Sequence, residues 1–340
     1  MTPTPSPVSG RPTMRDVARR AGVGVSTVSR VVSGDVRVSP ARTAAVRTAI
    51  AELGFRRNDS ARQLRKGAAA SIGLLIESVS DPFFSLITQA VEEVANDRDS
   101  LLMSASSNRD AERARKMILA FCARRVDGLI ITPPESQSID YLRQELLAGV
   151  RMVFIDRPVP GLEADTVLTD NVGGARAAVE HLIAHGHRRI ACFTDRHELF
   201  TSINRVLGYR QALEAAGIPI DPSLIHASVN GAYRFAEPLA ALLDGPNPPT
   251  AVFTGNNRAT STILRELSRR PETLALVGFD DFELADVVQP GVSVIAQDPL
   301  TMGRIAANLL FSRLDGDSSP VQTITLRTSL IARGSGEIRA

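Results

Sequence analysis

Cysteine and long apolar runs are scarce in this sequence of 340 residues. Its two cysteines, Cys122 and Cys192, lie in apolar surroundings without a CxxC spacing, which disfavours a disulfide scaffold. No run approaches the roughly 18 consecutive apolar residues of a transmembrane helix. The first residues are rich in Thr, Pro and Ser, not basic and then apolar as in a secretory signal. We therefore expect reduced thiols, no membrane span and a cytoplasmic location.

Motifs that bind nucleotides or activate a nucleophile are also lacking. Neither a Walker A sequence nor a GxSxG elbow occurs, and Gly22–Gly24 follows a helical pattern, which favours a simple turn. Glu180 and the histidines at 181, 185 and 187 resemble a metal cluster, because residues 181 and 185 share one helical face. A zinc site needs three or four ligands in a defined geometry. We therefore interpret these residues as the end of a helix and not as a metal site. The sequence predicts no metal and no cofactor.

Charge is distributed unevenly along the chain. Residues 13–66 contain twelve Arg or Lys against four acidic residues, a net charge of +8. Residues 67–340 contain 26 basic and 33 acidic residues, a net charge of −7. A small basic head on a larger acidic body is typical of a polyanion-binding module attached to a domain with another role.

The basic segment carries signals for three short helices. Thr13 can cap the first helix while Asp16 reaches back to it, as in a capping box. The turn Gly22–Gly24 ends that helix, and a second helix over Val25–Val32 follows almost at once. Ser39 is placed to cap the third. Three short helices with a glycine-containing turn between the first two predict a helix-turn-helix head.

Beyond residue 70, short apolar runs alternate with helical stretches. The first series has runs at 72–76, 101–105, 128–132 and 152–155, with helices near 83–97, 110–125 and 138–148. The second has runs at 190–194, 224–229, 250–253 and 274–278, with helices near 173–186, 203–217, 232–244 and 259–269. Such alternation predicts an α/β body with two doubly wound parallel-sheet lobes. Ligands gather beyond the carboxyl ends of such strands, so Asp280-Asp281 is a candidate binding pair for an enzyme or a binding protein.

The segments Thr13–Val23 and Ser26–Gly34 closely resemble the DNA-binding head of the LacI/GalR family of bacterial transcription regulators. The similarity continues through Asn58–Leu64, which resembles the family's hinge helix, and reaches Val277–Asp281 and Arg333–Ser335 in the body. The resemblance implies a body like the periplasmic sugar-binding proteins, with three crossovers between its lobes. It also implies a homodimer that binds a pseudo-palindromic operator in double-stranded DNA.

Pattern and resemblance together predict the domain limits. They are a disordered tail at 1–12, a helix-turn-helix domain at 13–57, a hinge helix and linker at 58–70, and an effector-binding and dimerisation domain at 71–340. Within the last, one lobe is expected over about 71–168 and 297–325, and the other over about 169–296 and 326–340.

Candidate DNA-binding residues lie on the second helix and the hinge. The first residues of a recognition helix face base edges, and Arg30 can bind a guanine through two hydrogen bonds. By resemblance, Leu64 enters the minor groove as an apolar wedge that kinks the duplex. The predicted DNA-binding residues are Thr13, Val25, Ser26, Thr27, Ser29, Arg30, Asn58, Ala61 and Leu64.

The resemblance also implies an effector site between the lobes. There Phe84 lines the pocket, Arg205 holds the ligand and Asp280 accepts its hydroxyls. The neighbouring positions are Glu77, Asp81, Thr132, Asp156, Thr201, Asn256 and Gln297. Guanidinium donors beside carboxylate acceptors suit a polyol, which predicts a carbohydrate-like effector. For the neighbouring positions, a hydrogen bond at the surface or between the lobes is an equally open interpretation.

The expected function is a transcriptional regulator, a repressor whose operator binding is modulated by a small molecule. No nucleophile or general base with an orienting partner is evident, so catalysis is not expected. Two alternatives stay open at this point. An α/β enzyme with an accessory DNA-binding head would turn over its ligand, whereas a sugar-binding protein without a DNA role conflicts with the basic head.

Overall fold

A computed structural model describes residues 12–35, 37–55, 70–135, 139–229, 231–270 and 273–340. The described residues form two compact units, one before Ala70 and one from Ala70 to Ala340. The predicted tail, apart from Pro12, and the predicted hinge, apart from Ala70, lie outside the described residues.

The first unit is a bundle of three helices. They are α1 (Met14–Ala21), α2 (Val25–Val32) and α3 (Pro40–Leu53). Its core contains Val17 of α1, Val28 of α2 and Val46 of α3, each fully buried. The capping box between Thr13 and Asp16 is confirmed, with the backbone N–H of Thr13 donating to Asp16 Oδ2 over 2.9 Å. In α2, Val28 is fully buried and Val31 and Val32 pack half-buried against the same core, whereas Val25, Ser26 and Arg30 are exposed.

The first lobe of the second unit, here the N-lobe, is built on a parallel sheet in the order β11-β5-β4-β3-β1-β2. Its strands are β1 (Ser71–Ile76), β2 (Leu101–Ser106), β3 (Gly128–Ile131), β4 (Arg151–Ile155), β5 (Asp165–Thr169) and β11 (Thr323–Leu326). Helices α4 (Pro82–Asp97) and α11 (Pro299–Leu314) share one core with the sheet. Helices α5 (Ala111–Ala123) and α6 (Asp140–Leu147) share another core with it.

The second lobe, here the C-lobe, has the sheet order β12-β10-β9-β8-β6-β7, parallel except for β12. Its strands are β6 (Ile190–Thr194), β7 (Ile225–Ala227), β8 (Ala251–Thr254), β9 (Ala275–Phe279), β10 (Ser293–Ala296) and β12 (Ser329–Ile331). Helices α7 (Asn171–Ala184) and α8 (Phe200–Ala215) enter one core. Helices α9 (Ala236–Leu243) and α10 (Asn257–Leu267) enter the other. The predicted fold class, a helix-turn-helix head with two doubly wound α/β lobes, is confirmed.

The chain passes between the lobes three times. The passages follow β5, β10 and β11, and each connects its neighbouring elements through two or fewer residues. The passages lie side by side, since the Asp170 amide donates to the Leu326 carbonyl and the Thr169 hydroxyl donates to Gln297. The loops at the carboxyl ends of both parallel sheets therefore face a common cleft.

Several elements differ from the sequence-based expectation. The pattern did not indicate β5, β10, β11, β12 or α11. The edge strands β11 and β12 contain exposed or half-buried residues, so they lack the continuous apolar run of a strand covered on both faces. Ser39 occupies the N-cap of α3, but its side chain makes no capping hydrogen bond, so the predicted role of its hydroxyl is wrong.

The cysteines and the histidine cluster are part of the packing. Both cysteines are free thiols, and burial raises the pKa of Cys192 to about 12. His181 contacts Glu337, and both ring nitrogens of His187 are bonded, to Thr250 Oγ1 at 2.9 Å and to the Ile338 carbonyl at 2.8 Å. These contacts tie the end of α7 to the C-terminal segment. Among the described residues, no helix has the length and apolar character needed to cross a membrane, and no three His, Cys, Asp or Glu side chains could hold a metal ion together.

Close packing of α7 against α8 predicts a large effect of Gly208→Ala. A Cβ atom at Gly208 would lie 2.2 Å from the Val172 carbonyl oxygen and 2.9 Å from the Arg176 amide nitrogen. Alanine normally favours a helix interior, yet here the two helices would have to separate, at about 1–3 kcal/mol. Urea unfolding should show this loss. Glu214→Ala, at an exposed position of the same helix, should change stability by less than about 0.5 kcal/mol. Equal stabilities of the two variants would contradict the packing argument.

Candidate functional sites

One surface of α2 carries exposed side chains suited to DNA contact. Val25, Ser26 and Arg30 are exposed, and Thr27 and Ser29 are half-buried. Gly24 occupies the N-cap and provides no side-chain hydrogen bond, so the start of α2 is not covered by a capping side chain. The exposed set lies at the first turn and one turn later, as expected of a helix whose beginning faces base edges.

The remaining predicted DNA-binding residues divide into two groups. Thr13 is exposed, but its hydroxyl already donates to Asp16 Oδ2 over 2.6 Å in the capping box. Asn58, Ala61 and Leu64 lie outside the described residues.

A cleft cavity of about 50 Å³ lies between the lobes of the second unit. Nine of the ten predicted effector residues line it: Glu77, Asp81, Phe84, Asp156, Thr201, Arg205, Asn256, Asp280 and Gln297. Five further residues complete its wall: Phe83, Arg109, Arg157, Asp195 and Leu199. Thr132, the tenth predicted residue, instead lines a neighbouring cavity of about 20 Å³ that shares Glu77, Arg109 and Arg157 with the first.

Arg205 is held rigidly at the floor of this cavity. Its Nε donates to Asn171 Oδ1 over 2.8 Å and its Nη1 to the Gly255 carbonyl over 2.6 Å. The guanidinium carbon lies 3.8 Å from the centroid of the Phe279 ring, and Nη1 lies 3.8 Å from Asp280 Oδ2. A guanidinium fixed in this way is preorganised to donate further hydrogen bonds to a ligand.

Carboxylates approach the cavity from both lobes at strand ends. Asp156 follows β4 and Asp280 follows β9, with φ angles of 70° and 73°, the left-handed region that non-glycine residues rarely adopt. Gln297 Nε2 donates to Asp280 Oδ1 over 2.5 Å. Burial raises the pKa of Asp156. Asp281, the second member of the predicted pair, points elsewhere and forms an ion pair with Arg333 at 2.7 Å.

Arg109 joins the two lobes across the cleft. It follows β2 in the N-lobe, and its Nε donates to Glu77 Oε1 over 2.5 Å. Its Nη2 lies 2.9 Å from Asp195 Oδ2 of the C-lobe and 3.1 Å from the Tyr233 hydroxyl. Burial acts to raise the pKa of Asp195, but Arg109 and the bonded hydroxyls hold it below its usual value. Asn257 Nδ2 donates to Asp81 Oδ1 over 3.0 Å, also between lobes.

Phe84 and Tyr233 are aromatic residues that the cleft region combines with its charged groups. Phe84 lines the cavity and is also 5% exposed within the N-lobe core, its ring edge-on to Phe83 at 5.1 Å. Phe84 is therefore part of both the N-lobe core and the wall of the cleft cavity. Val229, two residues after β7, is 70% exposed. Tyr233 contributes an aromatic hydroxyl nearby, and Asn256 Nδ2 donates to it over 2.9 Å.

Sequence reasoning missed Arg109, Arg157, Asp195 and Tyr233. Arg109, Arg157 and Asp195 each follow a parallel strand directly or within three residues, the same signal that identified Asp280. That signal was available in the sequence for these three. Tyr233 follows the short half-buried strand β7 at a distance of six residues, and no such signal marks it.

Known proteins resemble the chain over nearly its whole length. Residues 13–58 match the family model "Bacterial regulatory proteins, lacI family", and residues 179–336 match "Periplasmic binding protein-like domain". The ribose operon repressor of Escherichia coli strain K12 is 32% identical over 331 residues, which cover 95% of this chain and 99% of that protein.

Solved structures agree with this similarity. A complex of the transcriptional regulator CelR with cellobiose is 33% identical, has a TM-score of 0.70, and covers 96% of this chain and 100% of its own. The lac repressor dimer bound to operator and the anti-inducer ONPF is 24% identical with a TM-score of 0.83, covering 96% and 99%. The second of these supports the fold alone.

Proposed function

The chain belongs to the LacI family of bacterial regulatory proteins, which makes it a DNA-binding transcriptional regulator and not an enzyme, and we propose that it is a cytoplasmic homodimeric repressor released by a carbohydrate-like effector. Its operator is a pseudo-palindrome, because two identical heads related by a twofold axis read two half-sites.

Operator recognition rests on α2. Arg30 reads a guanine through O6 and N7, while Val25 and Ser26 contact adjacent base edges. Thr27 and Ser29, which are half-buried residues of α2, contact phosphates. Phosphate contacts position the head on the DNA without reading its sequence. The resemblance supports a minor-groove role for Leu64.

The observation that carries the effector proposal is the convergence of nine expected residues on one interlobe cavity. Its wall has five carboxylates and three guanidinium groups, a negative balance that disfavours phosphorylated or carboxylated ligands and suits a neutral polyol. The names of similar proteins, a ribose operon repressor and a regulator solved with cellobiose, support a sugar.

The volume of the cleft indicates how the effector acts. Ligand cavities usually exceed about 300 Å³, whereas this one has about 50 Å³ and is crossed by Arg109. A sugar therefore enters an open form of the cleft and replaces contacts such as Arg109–Asp195. The effector shifts the equilibrium between the two arrangements of the lobes, and so the population that binds the operator, by no more than its differential affinity for them.

Selection of bound fragments from random DNA by the purified protein, followed by sequencing, tests the DNA half of the proposal. A pseudo-palindromic consensus is the expected result. Operator affinity should then fall by about 10³ to 10⁵ between low and moderate salt, as for proteins with roughly six to ten phosphate contacts. A consensus without twofold symmetry would contradict the dimer.

A screen of neutral sugars and polyols by thermal shift tests whether the protein binds a carbohydrate-like effector.

A further inference from the structure

Side-chain contacts cross the cleft from the N-lobe to the C-lobe. They include Arg109–Asp195, Glu135–Arg196 and Asp81–Asn257. Of these pairs, only Arg109 and Asp195 both line the cleft cavity, whereas each of the other pairs has at least one member outside its wall. The contact of Arg109 with Asp195 therefore lies where the two lobes would close on a ligand.

Arg109 binds Asp195 through two parallel hydrogen bonds. Its Nη1 donates to Oδ1 over 3.2 Å, and its Nη2 lies 2.9 Å from Oδ2 of the same carboxylate. The guanidinium carbon also lies 5.6 Å from the centroid of the Tyr233 ring. Asp195 is buried, and two-pronged contacts between a guanidinium and a carboxylate are among the strongest hydrogen bonds in proteins. This contact therefore stabilises the closed arrangement of the lobes.

The backbone after β2 directs the Arg109 side chain towards the C-lobe. Asn108 and Arg109 have φ angles of 52° and 65°, both in the left-handed region that residues other than glycine rarely adopt. The Asn108 amide donates to the Glu77 carbonyl over 2.8 Å, which fixes this loop to the end of β1. Such conformations persist only where surrounding contacts impose them, and they concentrate at ligand clamps and switches.

Both carboxylates that Arg109 joins also have a partner in their own lobe. Glu77 Oε2 accepts from Arg157 over 2.7 Å within the N-lobe. Asp195 Oδ1 accepts from the Ser228 hydroxyl over 2.8 Å within the C-lobe. Separation of the lobes would therefore leave neither carboxylate without a hydrogen bond, and Arg109 would keep Glu77 as its partner. The contact between the lobes can break and form again without the large cost of a buried unpaired charge.

We propose that Arg109 is a latch, which binds Glu77 in one lobe and Asp195 in the other as a bridging ligand would. The latch sets the fraction of the protein whose lobes are open before any ligand binds. An effector that enters the cavity displaces the guanidinium from Asp195, so its apparent affinity is reduced in proportion to the fraction of open molecules. The inference goes beyond the proposed function, because it concerns the resting balance of the lobes, whatever sugar or operator the protein binds.

Hydrogen–deuterium exchange of the full chain, measured by mass spectrometry without sugar or DNA, tests the latch. Arg109→Met keeps a long side chain but removes the guanidinium. It should raise exchange in residues 78–81 and 195–199, which follow β1 and β6, by about tenfold, the change expected for loss of one charge-assisted hydrogen bond. Exchange within β1 and β6 should stay unchanged. Arg98→Met is the matched control, because Arg98 forms an ion pair with Asp315 inside the N-lobe, and it should exchange like the unmodified chain.

A second set of variants tests whether the two side chains act as a pair. Asp195→Asn removes the charge at nearly constant shape and should open the cleft like Arg109→Met. The double variant should open no further than either single variant, because both remove the same contact. Arg109→Lys keeps the charge but not the two-pronged geometry, so it should open the cleft less, and it serves where Arg109→Met does not fold.

Three results would overturn the proposal. The first is equal exchange of the cleft loops in Arg109→Met and in the unmodified chain. The second is a double variant in which the two effects add. The third is faster exchange that reaches equally into β1 and β6, which would show a loss of fold stability instead of an opening of the lobes.

Discussion

Replacing Arg205 should abolish the response to the effector while leaving operator affinity unchanged. Its guanidinium is fixed by Asn171, the Gly255 carbonyl and the face of Phe279, so it meets an entering ligand in one orientation. Lysine keeps the positive charge but cannot reproduce the two-pronged geometry. Arg205→Lys should therefore lose most of the response, and Arg205→Ala all of it.

Arg205→Ala should also lower the free energy of unfolding. It leaves two buried acceptors without their charged donor, which predicts a loss of about 3 kcal/mol or more in the free energy of unfolding. Unfolding curves must therefore be recorded beside the functional assay, and Arg205→Lys serves where Arg205→Ala does not fold. The head, with its own core, should retain its contacts with DNA in both variants.

The measurement is titration of each sugar found by thermal shift into the protein–operator complex, followed by fluorescence anisotropy. Arg210→Ala is the matched control, since Arg210 is exposed on the same helix and does not line the cleft cavity. It should release the operator at the same sugar concentration as the unmodified chain. Equal release by the Arg205 variants would show that the effector binds elsewhere.

Arg30→Ala should weaken operator binding and relax its sequence preference at one base pair in each half-site. Each bidentate contact with a guanine contributes about 1–3 kcal/mol of discrimination, which corresponds to roughly 5- to 150-fold per half-site. Arg30 is exposed, and the cores of the head do not include it, so folding should be unaffected.

Arg30→Lys separates charge from base reading. It should keep the salt dependence of operator binding, because the positive charge remains, but it should lose the preference at the same base pair. Gel shifts against operators altered at that position, at several salt concentrations, distinguish the two effects. Affinity and preference that are both unchanged in Arg30→Ala would remove Arg30 from base recognition.

Buried parallel strands could be predicted from the sequence because both of their faces are apolar, as in β1 and β8. Burial alone does not explain the rest: the edge strands β2 and β7 were indicated by apolar runs, whereas the largely buried β5 and β10 and the edge strands β11 and β12 were not. In β5, three of the five residues are Asp or Thr, which hides the apolar run of a buried strand. The cleft likewise contains residues that could be predicted from the sequence and residues that could not. Asp280 was visible as a carboxylate directly after an apolar strand, whereas the role of Arg109 depends on Glu77 in its own lobe and Asp195 in the other, contacts that local sequence does not encode.

Thr132 shows how finely the place of a residue around the ligand can be predicted from the sequence. The resemblance implied a place for it near the ligand, whereas the structure puts it in the wall of the neighbouring cavity, which shares Glu77, Arg109 and Arg157 with the cleft cavity. Thr132 directly follows β3, as Asp156 follows β4 and Asp280 follows β9, yet only the two carboxylates line the cleft cavity. Strand position alone therefore identifies the neighbourhood of a ligand but not the wall to which each residue belongs.

The three passages between the lobes also fix the order in which the body can be completed during synthesis. The N-lobe sheet takes its edge strand β11 from residues 323–326, and one of its cores takes α11 from residues 299–314. Both are translated only after β6 to β10 of the C-lobe have been made. A nascent chain that has reached residue 296 therefore has neither lobe closed, since β12 of the C-lobe is also still to come. Nonsense mutations late in the coding sequence should thus remove both lobes at once, and leave the basic head as the part that folds on its own core.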